Sequence, residues 1–427
     1  MKVRRLRIPL FVILCVSSLF AVSSSFAQRA DTIRVMAYNI LNYPGSDGAA
    51  RAVYLRKTLN AADIDILVAG EVISYAGVVL VRDNALNAYG GTDWAYAPFV
   101  DGRDTDAGFF YRQSKLVYMG METIPTELRN IYVYKVHPIH QDTTSAFYVY
   151  YAHLKASNSS DDAAQRGRES TIMRNHANAL PTGSRFMYTG DFNLYTSAEV
   201  TYSNLTGSQA DNDGRAFDPL QPGNWSNNSS FRFIHTQSPR VRSFGGGTTG
   251  GMDDRFDFIL PSMTFNTQTG SRYITNSFRT YGNDGSHFND SINSRPNTAV
   301  PDSIADALHY AADHLPVYAD FIIVQNNNAT PEPPTAPMPS AITVNAYPNP
   351  FNSEIKVQID LVKSTSITAT IIDMSGREIG QITSGNYAAG SHLLTWHAPG
   401  NLTSGTYYIR VRDLAGYSNT VPVQYVK

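Results

Sequence analysis

Eight polar side chains that could do acid-base or metal chemistry fall at the ends of predicted strands. They are Asn39, Glu71, His153, Asp191, Asn193, Asp257, Asp313 and His314. The carboxylates among them would repel one another in a single cluster unless a cation lay between them. Carboxylate and amide oxygens suit Mg²⁺ first, with Mn²⁺ or Ca²⁺ as alternatives, rather than a thiol-binding metal. A histidine next to an aspartate supplies a base near neutral pH.

Taken singly, each position also has an ordinary structural explanation. Asn39 could cap a turn, Glu71 could be the solvated end of a strand, and His153 could be a core histidine with satisfied hydrogen bonds. Asp257 could face solvent, and residues 313–314 could simply join a helix to a strand. The chemical interpretation therefore depends on whether the fold brings these side chains to one place.

The stretch 31–324 alternates predicted strands with predicted helices. Strands are predicted at 33–38, 64–68, 107–111, 147–152, 185–188, 255–260 and 317–323. Apolar residues at helical spacing predict helices around 52–62, 162–180 and 303–311. This alternation indicates a mixed α/β domain, and the strand ends of α/β sheets are where ligands bind.

Six short motifs follow one another in this domain. They are Met36-Ala-Tyr-Asn39-Ile-Leu, Asp65-Ile-Leu-Val-Ala-Gly-Glu71-Val, Tyr151-Ala-His153-Leu-Lys, Gly190-Asp191-Phe-Asn193, Arg255-Phe-Asp257-Phe-Ile-Leu and Ala312-Asp313-His314-Leu-Pro-Val. In this order they resemble the endonuclease/exonuclease/phosphatase superfamily over residues 33–323. The resemblance implies a DNase I-like four-layer α/β sandwich, with two sheets face to face and helices outside. It also implies a metal-dependent hydrolase that acts on phosphate esters.

Three of the residues would form the metal side of the site under this resemblance. Glu71 would hold the divalent cation, Asn39 would help to orient it, and Asp313 would serve a second metal or anchor a loop. Two neighbours depart from the family pattern, with Gly70 where glutamine is common and Ala312 where serine is common. Neither change removes a metal ligand, but both are expected to alter the hydrogen bonds around the ligands.

The other five residues would carry the proton transfers and hold the phosphate under the same resemblance. His314 would take a proton from the attacking water, and Asp257 would fix its tautomer and stabilise the imidazolium. Asp191 and Asn193 would position the water and the phosphate. His153 would hydrogen-bond the phosphate or protonate the leaving oxygen.

The first residues are predicted to be removed on export. A basic start at 2–7, an apolar run at 8–22 and small residues up to Ala27 are typical of a signal peptide at 1–27. The one cysteine, Cys15, lies inside it, so the mature protein has no disulfide and no cysteine metal site. Cleavage changes the formal charge from -2 to -6, because four basic residues leave. The negative net charge excludes the basic surface of a tight non-specific nucleic-acid binder, but it does not exclude a nuclease. No transmembrane segment is expected after cleavage.

A second domain follows a Pro-rich, polar linker at 325–341. Residues 342–427 show short alternating strands separated by turns, which predicts a small all-β immunoglobulin-like sandwich. The segments 346–352, 375–377, 390–396 and 404–410 resemble the type A sorting domain of the type IX secretion system. The resemblance implies a secreted or cell-surface protein with the secretion machinery as a partner. A carbohydrate-binding module of the same fold is the alternative.

The Gly-rich segment 245–251 is either a flexible loop or a mobile substrate loop, and it lacks the Gly-Lys-Ser/Thr of a P-loop. The leading function is hydrolysis of phosphodiester bonds by an extracellular nuclease, with nucleic acid as substrate. Sphingomyelinase-like or phosphomonoesterase activity is the alternative, as is a catalytically inactive surface-binding protein on the same fold. The loops that would determine substrate specificity lie at 75–100, 196–230 and 273–302, and they contain no sequence motif that identifies the substrate.

Overall fold

The computed structural model describes residues 29–220, 222–325, 342–361, 364–374, 377–413 and 418–427. The predicted signal peptide, with Cys15, lies outside the described residues, and so does the predicted linker apart from Gln325. Among the described residues, no helix combines the length and the apolar character needed to cross a bilayer. The described chain forms an α/β domain followed by an all-β domain.

The strands of the α/β domain, numbered along the chain, range from 2 to 14 residues. They are β1 (Ala30–Tyr43), β2 (Ile66–Val72), β3 (Trp94–Tyr96), β4 (Asp106–Arg112), β5 (Leu116–Ile124), β6 (Ile131–Pro138), β7 (Phe147–His153), β8 (Phe186–Asp191), β9 (Asp257–Pro261), β10 (Arg272–Tyr273), β11 (Arg279–Thr280) and β12 (Val317–Val324). The α-helices are α1 (Gly48–Ala62), α2 (Tyr75–Leu80), α3 (Ser160–Asn178), α4 (Val200–Thr206) and α5 (Asp302–Ala311). A π-helical turn follows α2 at Val81–Leu86.

Two sheets pack face to face. The first has the strand order β10-β12-β1-β2-β4-β3, with β11 also paired to β12, and the second has the order β5-β6-β7-β8-β9. Within them β1 and β2 are parallel, as are β7 and β8, while the other pairs are antiparallel. One apolar cluster joins the inner faces, with Val35 and Phe109 from the first sheet and Tyr134 and Val149 from the second.

Helices cover the outer faces of both sheets. α1, α2, α5 and the π-helical turn share an apolar cluster with the first sheet, and α3 and α4 share one with the second. The face of α1 that was predicted from its spacing, formed by Ala52, Leu55, Leu59 and Ala62, is buried. The layers therefore run helix, sheet, sheet, helix, and the predicted four-layer α/β sandwich is confirmed.

Several predicted boundaries differ from the observed ones. The strands predicted at 64–68 and 185–188 extend to Val72 and Asp191, which places two site residues at their ends. β5 and β6 were not predicted at all. Helix α3 begins earlier than predicted, because Ser159 and Asp162 form a capping box at its start.

The C-terminal domain is a β-sandwich. Its strands are β13 (Ile342–Tyr347), β14 (Glu354–Leu361), β15 (Thr365–Ile372), β16 (Glu378–Tyr387), β17 (Gly390–His397), β18 (Gly405–Asp413) and β19 (Ser418–Tyr425). They form two antiparallel sheets, β13-β14-β17 and β16-β15-β18-β19. Ile355 and Trp396 from one sheet and Ile371 and Ile409 from the other share one core. The predicted all-β sandwich is confirmed.

Candidate active site

The eight predicted residues meet at one edge of the two sheets. Parallel strands end at the same edge, so the ends of β1 and β2 and those of β7 and β8 carry their polar residues together. β9 and β12 run the opposite way, so their starts reach this edge with Asp257 and with Asp313 and His314. In the register of the second sheet, His153 lies opposite Asp191, and Asp191 lies opposite Asp257.

The Glu71 carboxylate is held by the chain around Asn39. The Asn39 side-chain amide donates to Glu71 Oε1 at 2.9 Å and to Asp191 Oδ2 at 3.1 Å, and the Asn42 backbone N–H donates to Glu71 Oε2 at 2.9 Å. The pairing of β1 with β2 shifts register beyond Asn39. There Leu41, Asn42 and Glu71 adopt positive φ, of 51°, 41° and 56°. Such conformations cost about 1–3 kcal/mol each and concentrate at functional sites.

The turn after β8 presents Asp191. Gly190 has φ of 128°, and a Cβ there would lie 2.1 Å from the Ala152 carbonyl oxygen, so only glycine fits. The Asn193 backbone N–H donates to Asp191 Oδ1 at 3.1 Å, and its side-chain amide donates to the Leu154 carbonyl at 3.1 Å. Asn193 therefore holds the shape of this turn, in addition to any role toward substrate.

His314 and Asp257 form a buried pair. His314 Nδ1 lies 2.7 Å from Asp257 Oδ2, and His314 Nε2 lies 3.6 Å from Asp191 Oδ2. Burial opposes the charged imidazolium, but the carboxylates of Asp257, Asp191 and Asp313 outweigh it and raise the pKa of His314 well above its usual value. Oδ1 of Asp257 is buried without a hydrogen-bond partner among the described residues. This geometry suits a base whose tautomer a carboxylate fixes.

His153 lies on the other side of Asp191. Its Nε2 is 3.5 Å from Asp191 Oδ2, and its Nδ1 is 3.9 Å from Glu71 Oε1. Burial, with the positive charges of Arg129 and His314, lowers the pKa of His153 well below its usual value, so this imidazole is neutral. Burial also raises the pKa of Asp191 to about 7, where the charge of His314 partly opposes it.

The Gly-rich segment lies directly on the site. The Thr248 backbone N–H donates to Asp313 Oδ2 at 2.6 Å, and the Ser238 hydroxyl donates to the Thr248 carbonyl at 2.9 Å. Gly247 has φ of 81°, and a Cβ there would lie 2.7 Å from Asp313. Of the two predicted roles of Asp313, this contact fits the anchoring of a loop.

The donor set fits a divalent cation. Burial raises the pKa of Glu71, and the next cause is the negative charge of Asp313, so these two carboxylates repel each other across the site. Oδ1 of Asp313 and Nδ1 of His153 are buried without hydrogen-bond partners among the described residues. No three Asp, Glu, His or Cys side chains in the described chain already converge tightly enough to hold a metal. The Asn39 amide links Glu71 to Asp191.

The glycine at position 70 is explained by Tyr151. A Cβ at Gly70 would lie 1.6 Å from the Tyr151 hydroxyl oxygen, so tyrosine fills the space that a larger residue 70 would need. The Tyr151 hydroxyl is buried without a partner among the described residues. Ala312, the other departure from the family pattern, is buried in the apolar cluster beneath α1.

Gly70→Ala is expected to destabilise the protein by on the order of 1–3 kcal/mol, because overpacking forces Tyr151 or the strand to move. Gly91→Ala is the matched control. A Cβ there would meet its nearest neighbour at 3.5 Å, in ordinary contact, so its effect should stay within about 0.5 kcal/mol. Thermal melts of both variants measure the difference, and equal melting temperatures would contradict this explanation.

Gln237 and Arg51 contact the site but were not predicted from the sequence. The side chain of Gln237 lies 2.6 Å from His314 Nε2. Arg51, buried on α1, donates to the backbone carbonyls of Ile40, Leu41 and Ala311, and so ties the two chain segments that lead into the site. A lone glutamine in a loop gives no sequence signal. An arginine within a mostly apolar helix face gives a weak one.

Comparison with known proteins identifies the C-terminal segment. Residues 345–421 match the family described as secretion system C-terminal sorting domain. No curated protein matches the chain by sequence.

Several solved structures resemble the N-terminal part at low identity. Zebrafish (D. rerio) TDP2 complexed with a single-strand DNA product is 15% identical, covers 68% of this chain and 99% of its own, and has a TM-score of 0.46. An endonuclease/exonuclease/phosphatase family protein from Bacteroides thetaiotaomicron is 14% identical, with 72% and 100% covered and a TM-score of 0.43. The human Nocturnin catalytic domain with bound sulfate is 16% identical, with 69% and 97% covered and a TM-score of 0.40. The chain thus joins a four-layer α/β sandwich, recognised by its own layers and strand order, to a secretion system C-terminal sorting domain.

Proposed function

We propose that the α/β domain is a metal-dependent phosphodiesterase that acts on nucleic acid, an extracellular nuclease. The observation that carries the proposal is the pair of His314 and Asp257, 2.7 Å apart, facing the buried carboxylate of Asp191 at 3.6 Å. A base, its orienting carboxylate and a second carboxylate at one sheet edge suit attack of water on a phosphate ester.

His314 is the general base in this mechanism. Asp257 accepts a hydrogen bond from Nδ1–H, which leaves Nε2 free to take a proton from the attacking water, and its negative charge stabilises the imidazolium that forms. Asp191, which lies close to both histidines, orients the water between them. Asn193 holds the turn that carries Asp191.

His153 acts on the phosphate side. Its neutral ring lies beside both Asp191 and Glu71, and its N–H can hydrogen-bond a phosphate oxygen. Because the ring is neutral, it does not place a second positive charge next to the His314 imidazolium. A neutral ring donates this hydrogen bond but does not release its N–H proton, so of the two predicted roles of His153 its low pKa supports the hydrogen bond to the phosphate.

Glu71 is the residue that would hold a divalent cation, with Asn39 orienting Glu71, and Oδ1 of Asp313, which has no hydrogen-bond partner among the described residues, is the oxygen that would serve a second ion. A bound Mg²⁺ would neutralise the charge that grows on the phosphate oxygens. Mn²⁺ and Ca²⁺ are the alternatives for the same oxygen ligands. The strained backbone at Glu71 supports this role, because it aims the carboxylate into the site.

The sorting domain indicates secretion or a cell-surface location. We assign the partner to the type IX secretion machinery, with the signal peptide at 1–27 directing export across the inner membrane. The domain boundaries that follow are 31–324 for catalysis, 325–341 for the linker and 342–427 for sorting. An extracellular hydrolase would meet nucleic acid released outside the cell.

The proposal is tested on the purified mature protein with Mg²⁺. Single- and double-stranded DNA, RNA, sphingomyelin and p-nitrophenyl phosphate are compared at equal enzyme concentration. We expect hydrolysis of nucleic acid at a rate far above that of the monoester. Preference for sphingomyelin or for the monoester would reassign the substrate, and no turnover on any of them would favour a binding protein.

Removal of 342–427 is expected to leave turnover intact and to abolish release from the cell. The two domains touch through a ring contact between Tyr75 and Tyr408 and through ion pairs of Arg410 and Arg412 with Asp101, and none of these contacts involves a catalytic side chain. Rates of a chain ending at Gln325 and cell fractionation measure both effects. If turnover is lost while the melting temperature of the α/β domain is unchanged, the C-terminal domain is needed for catalysis and this prediction is wrong.

A further inference from the structure

Gln237 is held firmly beside His314. Its backbone pairs with Asp254 and with His314 on either side, and Leu315 N–H donates to the Thr236 carbonyl at 2.7 Å. This pairing places the Gln237 side-chain amide 2.6 Å from His314 Nε2. Gln237 is partly exposed, whereas His314 is buried, so the amide can exchange its contact with the base for a contact with solvent.

Each ring nitrogen of an imidazole has one in-plane position for a hydrogen bond. At Nδ1 this position belongs to Asp257, and at Nε2 it belongs to Gln237. Asp191 Oδ2, at 3.6 Å from Nε2, is too far to take it. In the proposed function, the attacking water must hydrogen-bond the same Nε2. The amide and the water therefore compete for one position.

We propose that Gln237 caps the catalytic base: its amide occupies His314 Nε2 in the resting enzyme and must be displaced by the attacking water when substrate enters. The inference rests on the proposed role of His314. Because a primary amide has both a donor and an acceptor, a half-turn lets it hold Nε2 with or without a proton. Because Gln237 is partly exposed, the released amide can hydrogen-bond to solvent.

The cap affects substrate capture more than the chemical step. Displacing the amide costs the net free energy of one hydrogen bond. This cost is part of substrate binding, so it raises KM and leaves kcat, which is measured from the bound state, nearly unchanged. Gln237→Met keeps the length of the side chain and removes the hydrogen bond. We expect kcat/KM to rise about 2- to 10-fold through a lower KM, with kcat nearly unchanged. A residue that only oriented the ring would lose kcat instead.

Gln237→Glu is the matched variant with the opposite expected sign. Its carboxylate can hold an imidazolium by a charge-assisted hydrogen bond, which is about twice as strong as a neutral one. The cap is then harder to displace, so kcat/KM should fall below the wild-type value. Equal kcat/KM in wild type, Met and Glu variants would overturn the proposal, as would a Met variant with a fall of tenfold in kcat and an unchanged melt.

A second readout does not require turnover. In the Mg²⁺-loaded protein without substrate, the ¹⁵N resonance of His314 Nε2 should shift in Gln237→Met, while that of Nδ1, bound by Asp257, should stay. An unshifted Nε2 resonance would overturn the cap even in an active enzyme. If the wild type hydrolyses no phosphodiester but Nε2 shifts as expected, the contact stands and the proposed function fails.

Discussion

His314→Ala is expected to reduce kcat on the order of 10²–10⁴-fold, the usual contribution of a general base, without unfolding the protein. The ring lies among Asp257, Asp191 and Gln237, and alanine leaves the water without an acceptor. Loss of the imidazole also leaves Asp257 buried without its partner, so some loss of stability is expected. Rates under saturating substrate, with circular-dichroism melts, measure both effects.

Two further variants distinguish the roles around this base. Asp257→Asn should lose less than His314→Ala if Asp257 only orients the ring, because the amide still fills the space. His153→Ala should retain the pH dependence of the base while losing turnover. If His314→Ala keeps near-wild-type turnover, the base lies elsewhere and His153 becomes the candidate.

The pH dependence of the wild type follows from the same pair. The neighbouring carboxylates raise the pKa of His314, and a base must be neutral, so activity should increase with pH through a midpoint above the usual histidine value of about 6.5. The midpoint reflects the titration of His314 and Asp191 together, because the pKa of Asp191 is itself raised to about 7. A profile that is flat between pH 5 and 8 would contradict the assignment of His314.

Glu71→Gln is expected to raise the Mg²⁺ concentration for half-maximal activity by on the order of 10–100-fold or more, since even partners outside the ligand set change metal affinity that much. The Glu71 carboxylate is partly buried, and the negative charge of Asp313 repels it. The neutral amide removes this repulsion, so the melting temperature of the metal-free variant should not fall. Activity titrations with Mg²⁺ and melts in chelator measure the two quantities.

Asn39→Ala is the companion variant. Asn39 donates to both Glu71 and Asp191, so alanine should raise the Mg²⁺ concentration for half-maximal activity, because both carboxylates remain in the chain but lose the amide that orients them. A Glu71→Gln variant with an unchanged Mg²⁺ midpoint would move the metal site away from Glu71.

The sequence was informative about the site because its residues contrast with their surroundings. Asp191 and Asp257 lie at the ends of buried strands. In α/β sheets such strand ends bring their polar side chains together at one edge. The strand that carries Glu71 was predicted too short. Its last residues include Gly70, which discourages a strand prediction but fits here against Tyr151.

The parts that were missed depend on tertiary structure. β6, Ile131–Pro138, alternates aliphatic and aromatic residues over its first four positions and is buried on both faces. It therefore lacks the apolar-polar alternation of a half-exposed strand. Gln237 and Thr248 reach the site from loops, where no periodicity marks a side chain or an N–H that points inward. Their roles come from distances that only the folded chain provides.

The most direct test of the proposed function is the rate of DNA hydrolysis by the mature protein before and after metal removal. The chelated enzyme should be inactive, and added Mg²⁺, Mn²⁺ or Ca²⁺ should restore turnover, while Glu71→Gln should need far more of the ion. A metal-stripped sample that hydrolyses DNA at the full rate would contradict a metal-dependent phosphodiesterase.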